Sequence, residues 1–94
     1  MKVYISGAIT GTTDYMERFD AAERKLIDLG HEVVNPAFIN SFLPKDTTWD
    51  QYMAVSMALL DLCDGIYMID GWKKSKGACK EHMRAFLTGK QFIE

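Results

Sequence analysis

The chain has 94 residues, 48% of them hydrophobic, and a formal net charge of −2 at pH 7. This length predicts a single small domain spanning residues 1–94, and the hydrophobic fraction excludes a disordered chain. The slightly acidic charge and the dispersed basic residues argue against binding to DNA or RNA, whose phosphates need a basic surface.

Signals for a membrane or a metal are absent from the sequence. No run approaches the ~18 apolar residues of a membrane span, and the apolar start is too short for a signal peptide, so we expect a cytoplasmic protein. Cys63 and Cys79 lie in helical patterns without a CxxC motif or a nearby histidine. We therefore expect reduced, mostly buried thiols and neither a metal nor a cofactor.

The first part of the chain predicts a strand followed by a helix. Lys2–Ser6 is a β-rich run that ends at Gly7, which begins the first loop. From Asp14 onward, apolar residues recur at helical spacing. This spacing predicts a first helix over about residues 13–29, with Gly30 as its C-terminal stop.

The middle of the chain predicts a second strand, a loop and a second helix. Residues 31–35 form a β-rich run closed by a proline, and residues 37–46 then predict a loop that can cover a ligand. The second helix opens at Thr48. Its apolar stripe is wide for a lone surface helix and predicts a homodimer contact. The residues of this stripe are Tyr52, Met53, Met57 and Leu60.

The last third predicts a third strand, a third helix and a short fourth strand. Residues 65–69 are apolar at nearly every position, as in a strand that is covered on both faces. A helix over residues 75–88 and a strand over residues 91–93 follow. The alternation of strands and helices predicts an α/β domain with a parallel sheet, whose ligands bind at the carboxyl ends of the strands.

The start of the third helix is the strongest candidate for a binding site. The first amides of a helix have no internal partners and carry the positive end of its dipole, so Ser75 and Gly77 are suited to an anion such as phosphate. Glu81 lies six positions after Ser75, about 9 Å along the helix axis, and can read the other end of the same ligand. The alternatives are a plain N-cap for Ser75, a turn role for Gly77 and a solvated helix position for Glu81.

Four further residues are candidates for the site. Tyr4 can orient the Glu81 carboxylate or can simply be packed in the core. Gly7 can approach a phosphate or can serve only the turn, because its spacing to Gly11 matches no phosphate-loop pattern. Trp72 can stack on a base or cap the core. Asp64, at the entrance to the third strand, can contact a ligand or cap a turn.

Three segments of the sequence together indicate a resemblance to a known protein family. They resemble the nucleoside 2-deoxyribosyltransferase superfamily, and most of all its short phage and bacterial members of unassigned function (DUF4406-like), which are related to 2'-deoxynucleoside 5'-phosphate N-hydrolase. The segments are Tyr4-Ile-Ser-Gly7-Ala-Ile-Thr-Gly11, Cys63-Asp64 and Gly71-Trp72-Lys-Lys-Ser75-Lys-Gly77-Ala78-Cys-Lys-Glu81.

This resemblance implies a flavodoxin-like three-layer sandwich with a four- to five-stranded parallel sheet. It implies cleavage or transfer at the N-glycosidic bond of a 2'-deoxynucleoside or its 5'-monophosphate. Glu81 matches the family nucleophile, Tyr4 the tyrosine that positions it, and Ser75 the serine that binds a 5'-phosphate. The implied partners are a small nucleotide and a second copy of the chain.

One position departs from the family pattern. Where the family usually has an aspartate that helps protonate the leaving base, this chain has Ser56. A serine is not a strong general acid, and such proton transfer typically contributes about 100-fold or more. A non-catalytic nucleotide-binding or sensor module of the same fold is therefore the alternative function.

Overall fold

The computed structural model of the protein describes residues 1–94. It contains four strands, four α-helices and one 3-10 turn at Trp72–Lys74. In chain order the elements are β1 (Lys2–Ser6), α1 (Tyr15–Asp28), β2 (Glu32–Val34), α2 (Pro36–Asn40), α3 (Trp49–Asp61), β3 (Gly65–Met68), α4 (Lys76–Leu87) and β4 (Gln91–Ile93).

The four strands form one parallel sheet in the order β2-β1-β3-β4. The chain therefore first runs from β1 to one side and then crosses back over it to the other side. Because such crossovers are right-handed, α1 lies on one face of the sheet and α3 and α4 lie on the other. This is the three-layer, flavodoxin-like α/β arrangement that the sequence predicts, and the fold class is confirmed.

Strand β1 lies at the centre of both hydrophobic layers because alternate residues of a strand point to opposite faces. Val3 and Ile5 are buried against Phe19 and Leu26 of α1. Tyr4, between them, belongs to the opposite layer with residues of α3, β3 and α4. This alternation places the Tyr4 side chain on the face of the sheet that α4 covers.

The predicted strands and long helices are all present, with ends that differ by one or two residues. Two helices begin one residue later than predicted because the expected first residue is the N-cap. Thr48 accepts a hydrogen bond from Gln51 N at 3.1 Å, and the Gln51 side chain accepts one from Thr48 N at 2.8 Å, which is a capping box. Ser75 likewise caps α4.

The loop prediction for residues 37–46 is wrong for the first part of this segment, which forms α2. Asn35 caps this helix, since its Oδ1 accepts a hydrogen bond from Phe38 N at 3.2 Å, and Pro36 occupies the first helical position. An Asn-Pro pair closes a strand and also opens a helix, because proline needs no hydrogen-bond partner there and its φ angle is already helical. The loop prediction took the Asn-Pro pair only as the end of a strand.

One smaller expectation also needs correction. The thiols are free, but only Cys63 is buried while Cys79 is exposed. In the apolar stripe of α3, Leu60 is fully buried and Met53 packs against Gly77 of α4. None of the helices has the length and apolar character needed to cross a membrane.

Candidate functional site

A cavity of about 870 Å³ opens at the carboxyl end of β1, where the chain reverses its direction across the sheet. This is the position at which parallel α/β folds bind ligands. Helices α2 and α3 and the beginning of α4 form its walls. The structure brings together five of the residues singled out in the sequence, which are Tyr4, Gly7, Ser75, Gly77 and Glu81.

Glu81 is a buried carboxylate that two hydroxyl groups hold in place. Only 6% of the residue is exposed. Tyr4 donates a hydrogen bond from its hydroxyl to Oε2 at 2.5 Å, and Ser6 donates one from Oγ to Oε1 at 2.6 Å. Tyr4 and Ser6 are two positions apart on β1 and therefore share a face. The strand thus presents a matched pair of donors to the two oxygens of one carboxylate.

Burial dominates the electrostatics of this pair. It raises the pKa of Glu81, and the hydrogen bonds from Ser6 and Tyr4 oppose this effect without cancelling it. Burial and then the charge of Glu81 raise the pKa of Tyr4 well above 10. Tyr4 therefore stays protonated and acts as a donor. No ion pair involves Glu81, so its carboxyl group is oriented by the neutral donors Tyr4 and Ser6.

Ser56 of α3 lies close to Tyr4 and contacts α2. Its hydroxyl group lowers the pKa of Tyr4, against the larger effects of burial and of Glu81, which raise it. Asn40 Nδ2 donates a hydrogen bond to Ser56 Oγ at 3.2 Å. Ser56, which is buried and lines the cavity, therefore links α3 to α2 beside Tyr4.

The beginning of α4 forms the most polar wall of the cavity. Ser75 Oγ accepts a hydrogen bond from Ala78 N at 3.1 Å, which leaves the hydroxyl proton free to be donated. Lys74 and Lys76 line the cavity beside it. A Cβ at Gly77 would lie 3.1 Å from Met53 Sδ, so glycine here also lets α3 and α4 approach closely.

Trp72 and Asp64, for which we expected ligand contact, do not line the cavity. The Trp72 ring stacks on His82 of α4, with 4.4 Å between the ring centroids. Asp64 accepts a hydrogen bond from Lys2 N at 3.3 Å, at the amino end of the sheet. Because parallel strands have their amino and carboxyl ends at opposite edges, β3 separates Asp64 from the cavity by about 13 Å.

The structure adds two residues that the sequence analysis missed. Ser6 could have been predicted from the sequence, because it follows Tyr4 by two positions on the same strand and its side chain must point to the same face. Asn40 could not, because it lay in a segment predicted as a loop. Asp61, the nearest acid to Ser56 along α3, is bound to Arg84 on the outer surface at 2.6 Å and takes no part in the site.

Comparisons with known proteins place the family and the fold in context. A family model described as a domain of unknown function (DUF4406) matches residues 1–94. No match was found among curated proteins. The chain is similar to a solved 2-deoxyribosyltransferase from the psychrotolerant bacterium Bacillus psychrosaccharolyticus, described as a biocatalyst for the synthesis of nucleosides. The TM-score is 0.77 at 18% identity, over 98% of this chain and 69% of that one, which shows a shared fold.

Replacing Glu81 by Gln should make the protein more stable at neutral pH. Burial raises the folded-state pKa of Glu81 above 4.5, so folding favours the protonated form. The protonated form therefore adds its full contribution to stability at pH values below the unfolded-state pKa. This contribution is lost as the pH rises through the folded-state pKa. Glutamine stays neutral, so Glu81→Gln should have a higher melting temperature at about pH 7 and should lose this advantage near pH ~4.

Thermal unfolding followed by circular dichroism across this pH range measures the effect. Glu32→Gln, on the exposed face of edge strand β2, serves as the matched control and should show no comparable gap. A Glu81→Gln variant that is less stable than the native protein at neutral pH would contradict the burial argument.

Proposed function

Since the chain belongs to the DUF4406 family, whose function is unknown, we propose that it cleaves the N-glycosidic bond of a 2'-deoxynucleoside 5'-monophosphate with Glu81 as the nucleophile. One observation supports this most: a buried carboxylate, held by Tyr4 and Ser6, lines a cavity that also contains the N-terminus of a helix. The two features suit the two ends of a small nucleotide.

The proposed reaction has two steps. An oxygen of Glu81 attacks C1' of the sugar, the bond from C1' to the base nitrogen breaks, and the base leaves with the bonding electrons. Water then attacks C1' of the resulting glycosyl ester, the bond from C1' to the Glu81 oxygen breaks, and the sugar phosphate is freed with the carboxylate restored. The proton that the water loses passes to solvent and balances the proton that the departed base takes up. A second base in place of water would make the reaction a transfer. Tyr4 and Ser6 hold the attacking carboxylate in one orientation throughout.

The site has no strong acid that could protonate the leaving base. Glu81 is the one carboxylate among the residues that line the cavity, whereas glycosidases usually use a second carboxyl group as the acid. The Ser56 hydroxyl accepts a hydrogen bond from Asn40 and is not a strong acid. Because a general acid typically contributes about 10²- to 10⁴-fold, we expect slow turnover.

The same observation favours the second candidate function, a non-catalytic nucleotide-binding or sensor module. Such a protein keeps the cavity and its anion-binding wall but has lost the acid that speeds release of the base. The two functions differ in whether Glu81 is needed for turnover or only for shaping the cavity.

The choice of a monophosphate over a free nucleoside rests on the charge of the cavity wall. Lys45, Lys74 and Lys76 line the cavity, although the chain as a whole has a net charge of −2. The first turn of α4 adds the positive end of its dipole, and Ser75 retains a hydroxyl proton to donate. These groups together favour an anionic end on the ligand.

The native protein should release free base from 2'-deoxynucleoside 5'-monophosphates, and Glu81→Gln should reduce this release by about a thousandfold or more, as loss of a nucleophile does. Chromatography of the reaction products measures the release, with Glu32→Gln as a control that keeps activity. Absence of release by the native protein, together with a nucleotide-dependent rise in its melting temperature, would replace the hydrolase by the binding module.

Replacing Ser75 by Asp should reduce the preference for monophosphates. Aspartate is a good N-cap, so α4 should stay folded, but its charge would repel a phosphate bound at the same position. We expect kcat/KM for the monophosphate to fall by about tenfold or more relative to the free nucleoside. Ser75→Thr keeps both cap and hydroxyl and should keep the preference. An unchanged ratio in Ser75→Asp would place the phosphate elsewhere.

We also propose that the chain forms a homodimer. The supporting observation is the outer face of α4, where the apolar side chains of Phe86 and Leu87 are 68% and 72% exposed. Such a patch is typical of a partner contact. Sedimentation at micromolar concentration should give twice the 10.7 kDa mass of the chain, and Phe86→Glu should reduce it to the monomer. A monomeric native protein would contradict the proposal.

A further inference from the structure

The lining of the cavity combines one carboxyl group with ionisable groups that are all much weaker acids. Glu81 is its only carboxyl group, and neither of the two histidines lines it. Phenols and ammonium groups are far weaker acids than a carboxyl group or an imidazolium. The phenol of Tyr4 already donates its proton to Glu81. The other ionisable side chains in the lining are Tyr15, Tyr52, Lys45, Lys74 and Lys76.

The acidic groups of the neighbouring helices are engaged elsewhere. Asp61 of α3 forms an ion pair with Arg84 at 2.6 Å. His82 of α4 stacks on Trp72, with 4.4 Å between the ring centroids. Neither Asp61 nor His82 lines the cavity. A base that must take up a proton in order to leave therefore finds no strong donor in this site.

Glu81 also lacks a positive charge beside it. Its buried carboxyl group contacts the hydroxyls of Tyr4 and Ser6 and forms no ion pair. Burial raises the pKa of Glu81, whereas a positive charge within about 4–6 Å favours the ionised form that can attack C1'. The base is bonded to C1', so a positively charged base would bring this charge to Glu81.

The part of the cavity that is left for the base suits a flat cation. On the proposed function, the phosphate lies at Ser75, between Lys74 and Lys76 in the sequence, and C1' lies at Glu81. The remaining lining includes the aromatic rings of Tyr15 and Tyr52. Aromatic rings attract cations through their negative faces. The site thus offers an anion and aromatic rings to the base, and cations to the phosphate.

We infer that this site takes nucleotides whose base is positively charged while it is bonded to C1', as in a purine alkylated at N7 or in nicotinamide. This inference rests on the proposed function. It names the class of substrate for which the groups present in the cavity are sufficient. An ordinary base leaves with an excess of electrons and needs a proton, whereas a cationic base needs none.

The reaction of such a nucleotide balances without an acid. An oxygen of Glu81 attacks C1', the bond from C1' to the ring nitrogen breaks, and its electron pair cancels the positive charge of the ring. The base then leaves as a neutral molecule. Water attacks C1' of the glycosyl ester, the bond from C1' to the Glu81 oxygen breaks, and the proton of the water passes to solvent. No step requires a general acid.

The test compares dGMP with 7-methyl-dGMP, which differ only in the methyl group and the positive charge that it brings. The native protein should release base from 7-methyl-dGMP with kcat/KM at least about 100-fold higher, because a general acid supplies about this factor or more to an ordinary base. Release without protein is subtracted for each nucleotide. Glu81→Gln should reduce both rates by about a thousandfold or more.

An acid added to the site should remove much of this preference. Ser56→Asp places a carboxyl group where the family resemblance implies one, and should narrow the ratio by about tenfold or more by raising release from dGMP. Ser56→Asn has the same shape without the acid and should keep the native ratio. Melting temperatures show which variants are folded. A new carboxyl group at a buried position can prevent folding, in which case the native ratio decides.

Nicotinamide mononucleotide distinguishes the two kinds of base. Glu81-dependent release of nicotinamide would support a class that includes pyridinium nucleotides, and release from 7-methyl-dGMP alone would support alkylated purines.

Three results would overturn the inference. A native ratio below about tenfold would do so and would leave the proposed function standing, since dGMP would then be cleaved efficiently without a second carboxyl group. A folded Ser56→Asp variant that keeps the native ratio would show that the missing acid does not cause the preference. Absence of release from all three nucleotides would overturn both the inference and the proposed function.

Discussion

The burial of one carboxylate against the central strand is the constraint on which the rest of the site depends. Removing a carboxylate from water is costly unless its oxygens are hydrogen-bonded. Glu81 meets this requirement through two hydroxyl groups of β1 rather than through a cation. Each donor then needs a place of its own: Tyr4 in the core between β1 and α3, and Ser6 at the end of the strand. One buried carboxyl group thereby links α4 to the central strand β1.

The sequence predicted the fold well because periodicity and turn residues act locally. Each strand and long helix lies within two residues of its predicted position, and the parallel order places the end of β1 beside the start of α4. The site was harder to predict. Glu81 is an ordinary helix residue by its spacing, and the family resemblance singled it out. Trp72 and Asp64 do not line the cavity, because the Trp72 ring stacks on His82 and Asp64 lies at the amino end of β3.

Ser6 and Asn40 illustrate two different limits of sequence reasoning. Ser6 was predictable from the alternation of β1, since a strand that turns Tyr4 toward α4 must turn Ser6 the same way. Asn40 depends on a short helix whose Asn-Pro opening also suits the end of a strand, and on a contact with Ser56, sixteen positions along the chain. No local pattern encodes such a contact, because it forms only when α2 and α3 pack together.

The fold is shared with a deoxyribosyltransferase. Glu81 supplies the one carboxyl group in the lining of the cavity. The position where the family resemblance implies an acid holds Ser56, which lies close to Tyr4. Fold alone does not decide between a slow hydrolase and a binding module, since function is set by the groups in the site.

Mass spectrometry of the trapped glycosyl-enzyme tests the role of Glu81 most directly. A 2'-fluorinated nucleoside 5'-monophosphate slows hydrolysis of the glycosyl ester, because the electronegative substituent disfavours the oxocarbenium-like transition state. The native protein should gain the mass of one sugar phosphate, attached to the peptide that contains Glu81, and Glu81→Gln should gain none. A protein that still releases base from deoxynucleotides but carries the label elsewhere, or carries none, would contradict the assignment of Glu81 as the nucleophile.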